Sequence, residues 1–181
     1  MFIQTEQTPN PASLKFLPGC EVMVRGTAEF KSAEAAHPSP LAEQLFKISG
    51  VAGIFLSGDF ITVTKTEDAS WPALKPLILG VIMEHFTTGR PVMLNENAPV
   101  VSSDDDNDIV KQIKELLETR IRPAVAADGG DIVFHSFDHG VVFLQMQGAC
   151  SGCPSSAATL KHGIQNLLKH FVPEVVDIQA V

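Results

Sequence analysis

Cysteine is scarce in this chain: 3 in 181 residues, an odd number and too few for a disulfide framework. That scarcity fits a reducing compartment, where paired cysteines bind metal or take part in catalysis. A basic excess is missing as well. Asp and Glu outnumber Lys and Arg by 21 to 13, giving a formal charge of −8, so the electrostatic footprint of a nucleic-acid binder is absent. An acidic surface favours solubility and docking to basic patches on protein partners. Long apolar runs are also lacking. The most apolar stretch, Leu77 to Met83, is short and is followed at once by Glu84 and His85, so no membrane association by a spanning helix is expected. The first residues, Met1-Phe-Ile-Gln-Thr5, carry neither a charged n-region with an apolar h-region nor an Arg-rich amphipathic leader. The chain is therefore expected to be cytosolic in character, or an organellar protein without its leader. Hydrophobic residues make up 45% of it, enough for a buried core in one domain or two small ones.

What is present divides at Asn95–Asn107, a polar, acidic, Pro-containing stretch between two regions of apolar periodicity. It reads as a linker, with residues 1–94 and 108–181 as the domains on either side. The acids Asp104 to Asp108 read as solvated linker whose last members favour the start of the next helix. In the first half, strands are expected over Met1–Gln7 and Leu14–Leu17, joined by a rigid turn at Thr8-Pro-Asn-Pro11. Ser39 caps a helix over Leu41–Ile48 with Pro40 at its first position and Gly50 as its stop. Val51–Ser57 and Phe60–Thr66 form a hairpin across Gly58-Asp59. Trp71–Phe86 is helical, its regular part confined by Pro72 and Pro76 to the residues after them.

In the second half, Asn107 caps a helix whose apolar residues are Ile109, Ile113, Leu116, Leu117 and Ile121. Arg122-Pro123 bends or ends it. Asp128-Gly-Gly-Asp131 reads as a turn, and both acids as turn residues. Ile132–Phe137 and Val141–Met146 form a hairpin across Asp138-His-Gly140. A helix from Pro154 carries Ala157, Leu160, Ile164, Leu167, Leu168 and Phe171 on one face, and a strand over Glu174–Ala180 follows. The order α-β-β-α-β describes helices packed on a three-stranded sheet, and the whole chain is expected to be α+β with two small domains.

The most informative motif is Cys150-Ser-Gly-Cys153, between a β-branched run and a helix start. The spacing holds two sulfurs close enough to share a metal or a disulfide, and the neighbouring helix N-terminus favours thiolate. Gly152 lets the loop reach positive φ, and Pro154 is pre-set for a helix start. Three chemistries remain open. Structural zinc and iron–sulfur clusters both want four protein ligands, and this half of the chain has two cysteines, so either needs a symmetric dimer with one CxxC from each copy. Dithiol–disulfide exchange of the thioredoxin type needs the two cysteines alone. Against it stand the short domain and the absence of an aromatic before the motif.

Asp128-Gly-Gly-Asp131, Gly148-Ala-Cys-Ser-Gly-Cys-Pro-Ser155 and Thr159-Leu-Lys-His-Gly-Ile164 resemble the C-terminal domain of NifU and of the Nfu iron–sulfur carriers. Thr8-Pro-Asn-Pro-Ala-Ser-Leu-Lys-Phe-Leu-Pro-Gly19 resembles the Nfu N-terminal domain. The resemblance spans nearly the whole chain. It implies a non-enzymatic carrier or scaffold that binds a [4Fe–4S] cluster between two subunits through Cys150 and Cys153. It also implies partners: upstream cluster-assembly proteins, and apo iron–sulfur clients that receive the cluster. The compartment implied is bacterial cytoplasm, or the mitochondrial matrix for a processed eukaryotic homologue. The additional cysteine-bearing domains of the longer NifU are lacking, which favours carriage over de novo assembly.

Other candidates have plainer readings. Cys20, after Pro18-Gly19, reads as a half-buried residue or a surface thiol. His162 and His170 lie eight apart on an exposed helix, and Lys161 and Lys169 read as helix surface or as contacts for an acidic partner. Thr8-Pro-Asn-Pro11 is either a rigid turn or a recognition loop.

Overall fold

The computed structural model describes residues 1–94, 107–151 and 154–181, the last span with side chains from Ala158 onward. The expected linker, apart from Asn107, lies outside the described residues. The chain forms two compact units, Met1–Val100 and Val101–Val181.

The first unit is built on strands β1 (Gln4–Gln7), β2 (Ser13–Leu17), β3 (Ala28–Phe30), β4 (Val51–Leu56) and β5 (Ile61–Lys65). They pair antiparallel throughout, in the order β1-β2-β5-β4-β3. Register places Leu14, Val63, Ile54 and Phe30 in one cross-sheet row and Phe16, Ile61, Leu56 and Ala28 in the next. Because side chains alternate along a strand, these rows share one face. That face packs against Leu41 and Leu45 of helix α1 (Pro40–Phe46) and Leu74, Ile78 and Ile82 of helix α2 (Trp71–Thr87). On the other face Lys15 pairs with Glu6 at 3.4 Å and lies 4.5 Å from the Phe60 ring centroid. Its aliphatic stem is thereby buried while the charge keeps a partner.

Local chemistry explains the ends of these elements. Ser39 caps α1 by accepting a hydrogen bond from the Ala42 N–H at 3.1 Å, and Pro40 follows it as expected. The helix ends short of its expected Ile48, with Lys47 as its C-cap, and Gly50 (φ +101°) turns the chain into β4. Helix α2 begins at Trp71, with Pro76 inside it rather than before its regular part. The N–H that Pro76 lacks would have met the carbonyl of Pro72, an exposed residue of the first turn, so the missing bond falls outside the core. Strand β1 starts at Gln4, not Met1, and β3 has only three residues, too short to show a period.

In the second unit, helix α3 (Asp108–Leu116) runs through a π-helical turn (Leu117–Ile121) into helix α4 (Arg122–Ala127). Arg122-Pro123 thus neither ends the helical run nor stands alone as its bend. Ile113, Leu117, Ile121 and Val125 are all buried and spaced by four. In a regular α-helix each four-residue step overshoots a turn by about 40°, so this stripe would drift off the core. The wider π turn absorbs part of that drift. Strands β6 (Gly130–Asp138) and β7 (Val141–Gly148) form an antiparallel hairpin. Its two-residue turn, His139-Gly140, has φ of +47° and +83°, as twist-matched hairpin turns require. Helix α5 (Pro154–Phe171) crosses over to strand β8 (Asp177–Ala180), which pairs parallel to β7 and gives the order β6-β7-β8.

The helical stripe, Ile132, Val142 and Leu144 of the sheet, and Ile164 and Leu168 of α5 make one core. Leu160 and Leu167 pack against its margin, as their spacing predicts. Phe171 does not: it is 39% exposed, and its ring meets His170 edge-on and lies 5.1 Å from the Arg120 guanidinium. Ala157 is not among the described side chains. The unit is α-β-β-α-β, and the chain as a whole is α+β with two sheets.

Candidate functional site

Strand β7 ends at Gly148, whose positive φ of +66° turns the chain toward the CxxC. The Ser151 N–H closes that turn on the Gly148 carbonyl at 3.1 Å, and the Ala149 N–H donates to the Gly129 carbonyl at 3.1 Å. Cys150 is thus carried on a backbone pinned to the Asp128–Asp131 segment. It is 4% exposed and belongs to the core of the second unit. Cys153 lies outside the described residues.

Gly130 faces Gly148 across the hairpin and also backs Cys150. A Cβ on Gly130 would stand 2.6 Å from the Cys150 Sγ, 2.7 Å from the Gln147 carbonyl and 3.1 Å from the Cys150 nitrogen. The first two approaches are closer than any real side chain makes, so only glycine fits.

Next to Gly130, Asp131 is buried rather than set in a turn, which corrects its reading as a turn residue. Arg122 holds it in a planar fork: Nε donates to Oδ1 and Nη2 to Oδ2, both at 2.8 Å. The Ile132 N–H also donates to Oδ1, at 2.8 Å, and Arg122 Nη1 donates to Glu118 at 2.7 Å. The hydrogen bonds to Asp131 raise the pKa of the Arg122 guanidinium above its ordinary value, against the opposing effect of burial. Asp128, by contrast, closes α4, its N–H donating to the Val125 carbonyl at 3.1 Å. Sequence reasoning missed the Arg122–Asp131 pair. The two residues are nine apart, with the rest of α4 and the turn into β6 between them, and no local pattern announces their meeting.

Among the described residues, no group of three or more His, Cys, Asp or Glu side chains could hold a metal ion. Cys20 is half-buried in the first unit, in line with its plain reading. His162 and His170 are exposed. The Thr8–Pro11 segment is a locked turn: Thr8 Oγ1 donates to the Asn10 carbonyl at 2.8 Å, and the Ala12 N–H donates to Asn10 Oδ1 at 3.0 Å. No helix among the described residues is long and apolar enough to cross a membrane.

Residues 3–89 match the family model described as "Scaffold protein Nfu/NifU N terminal", and residues 113–179 match "NifU-like domain". The chain belongs to the Nfu/NifU family. Over 184 residues this Nfu/NifU chain is 54% identical to the "NFU1 iron-sulfur cluster scaffold homolog, mitochondrial" of Drosophila persimilis, covering all of itself and 65% of that protein. The protein of the same name from Drosophila willistoni is also 54% identical, with 64% of its length covered. The chain therefore spans slightly less than two thirds of these relatives. The solution structure of a NifU-like protein from Saccharomyces cerevisiae aligns with a TM-score of 0.47 and 27% identity, over 51% of this chain and 84% of that one.

Proposed function

We propose that this protein is a non-catalytic iron–sulfur carrier that grips a [4Fe–4S] cluster between two copies of itself and hands it to apo-proteins. Cys150 and Cys153 are the ligands, two from each chain. One observation carries the reading: the second unit has two cysteines, and its described residues include no cluster of three or more metal-binding side chains. Four thiolates therefore require two chains. The names of the relatives, iron–sulfur cluster scaffolds, support cluster carriage, and their mitochondrial label supports the matrix among the compartments expected.

The cluster is cargo, and its transfer is ligand exchange. A client thiolate bonds to an iron as a carrier thiolate leaves and takes up a proton; iron and sulfide keep their oxidation states, and repetition moves the cluster across. Residues 1–94 recognise partners or regulate access to the cluster, residues 95–107 act as the linker, and residues 108–181 hold the cargo. Upstream assembly proteins load the carrier.

Anaerobic reconstitution with iron and sulfide tests this. The expected product is a brown dimer with about four iron and four labile sulfide per pair of chains. The Cys153→Ser variant is expected to fold and to remain colourless. A colourless monomer that cycles through a Cys150–Cys153 disulfide would overturn the reading in favour of thiol exchange, and a colourless zinc dimer would overturn it in favour of a structural metal.

A further inference from the structure

The geometry points to a seat that withholds the Cys150 thiol in the metal-free protein, with Arg122 and Asp131 as the positioning residues that lock it. This rests on Cys150 being a cluster ligand. A sulfur shared with a second chain must present its lone pairs at the protein surface, yet Cys150 is 4% exposed and within the hydrophobic core. Its Sγ lies over Gly130, so close that one methyl group there would collide with it at 2.6 Å. The thiol can lie this deep only because Gly130 is bare.

Gly130 keeps that place because both of its sides are tied. On one side the Gly129 carbonyl accepts from the Ala149 N–H at 3.1 Å, fastening the segment to the CxxC loop. On the other, Asp131 is clamped by two parallel N–H···O bonds from Arg122 at 2.8 Å and by the Ile132 N–H. A bidentate guanidinium–carboxylate pair fixes direction as well as distance, so it sets where Gly130 stands relative to α4. Nothing in cluster ligation requires this ion pair. Its effect falls on Cys150: with the pair intact the thiol is stored, and loading requires the loop to lift Sγ away from Gly130.

Peptide-resolved iodoacetamide alkylation of the full-length metal-free chain tests the seat, with Cys20 as the internal reference. Arg122→Gln and Asp131→Asn are each expected to speed Cys150 alkylation by about tenfold or more, the change that loss of a charge-assisted hydrogen bond produces in a local opening equilibrium. Cys20 should be unaffected. The acceleration should appear at zero urea and be independent of low urea, as a local opening requires. Arg122→Lys keeps the charge but loses the fork, and it should restore protection only in part. Gly130→Ala should expose Cys150 even with the ion pair intact. Wild-type Cys150 reactivity in both Arg122→Gln and Asp131→Asn would overturn the inference. So would acceleration that follows urea in step with global unfolding, the mark of a merely structural role. Reconstitution of Cys150→Ser separates the two claims: full cluster loading there removes Cys150 as a ligand, while the alkylation rates still report on the seat.

Discussion

The indole N–H of Trp71 donates to the carbonyl of Pro11 at 3.1 Å, joining the first turn of α2 to the Thr8–Pro11 turn 60 residues earlier. The turn is already held by Thr8 and Asn10, so the indole bond anchors it to the helix rather than shaping it. Trp71→Phe keeps the apolar ring and removes the donor. It is expected to cost about 0.5–1 kcal/mol, the lower part of the net worth of a hydrogen bond because this one is exposed, measured by urea unfolding followed by far-UV circular dichroism. Amide exchange of Ala12 and Ser13 should change by less than that of the first turn of α2.

Two glycines of the first unit should respond to alanine with opposite signs. Gly50 has φ +101°, and a Cβ there would meet the Ala69 Cβ at 2.7 Å and Leu74 Cδ2 at 3.3 Å. Gly50→Ala is therefore expected to destabilise by about 1–3 kcal/mol, from backbone strain and overpacking together. Gly80 lies in α2, and a Cβ there would meet nothing within 4 Å. Gly80→Ala should stabilise by about 0.5–1 kcal/mol through helix propensity. Chemical denaturation of both variants beside the wild type decides the signs.

Ser39 is fully buried and acts twice. Its hydroxyl donates to the Val92 carbonyl at 2.6 Å and accepts from the Ala42 N–H at 3.1 Å. Ser39→Ala removes the cap and orphans a carbonyl, for an expected loss of about 1–3 kcal/mol. Asn107 caps α3 in the open with a 3.5 Å contact to the Ile109 N–H. Asn107→Ala should cost less, about 0.5–1 kcal/mol. Thermal melts of the two variants give the comparison.

His85 supplies a pH dependence. It is 1% exposed in the last turn of α2, no described residue gives either ring nitrogen a well-formed hydrogen bond, and its ring meets Phe86 edge-on. Burial, and then the nearby Arg90 charge, lower its pKa below the ordinary 6.5; contacts to the carbonyls of Pro91 and Arg90 oppose this without reversing it. The unfolded chain therefore binds a proton that the folded chain refuses. Stability from this site is full above pH 6.5 and declines as pH falls toward the lowered folded value, below which the loss levels off. Denaturation followed by fluorescence of Trp71, the single tryptophan, should show that decline. His85→Leu should flatten it, and an unchanged slope would assign the effect to other groups.

Much of the second unit is legible in the chain because its signals are local. The 3.6-residue period of α5, the apolar strands and the His139-Gly140 turn each depend on neighbours a few residues away. Boundaries differ where a glycine reads as punctuation. Gly130 has the look of a turn residue, yet it lies within a paired strand, because its bareness serves a close approach from across the sheet. The cysteine spacing points to the chemistry but cannot reveal that Cys150 is buried. That depends on Gly130, twenty residues earlier, whose lack of a side chain leaves the thiol its place. Strand β3 is silent in the sequence for another reason: it is ordered by pairing with β4, not by a pattern of its own.

The π turn at Leu117–Ile121 holds one residue more than ordinary winding needs, so the stretch from Asp108 to Ala127 answers unequally to shortening and lengthening. Excising one amino acid there would relax the turn to ordinary winding and leave the flanking helices close to their present phase, whereas adding one would swing one side by about 100° relative to the other. The addition would take either the upstream isoleucines or Val125 off the core. A stretch answerable to two fixed appointments can be trimmed where it bulges, but it cannot be padded.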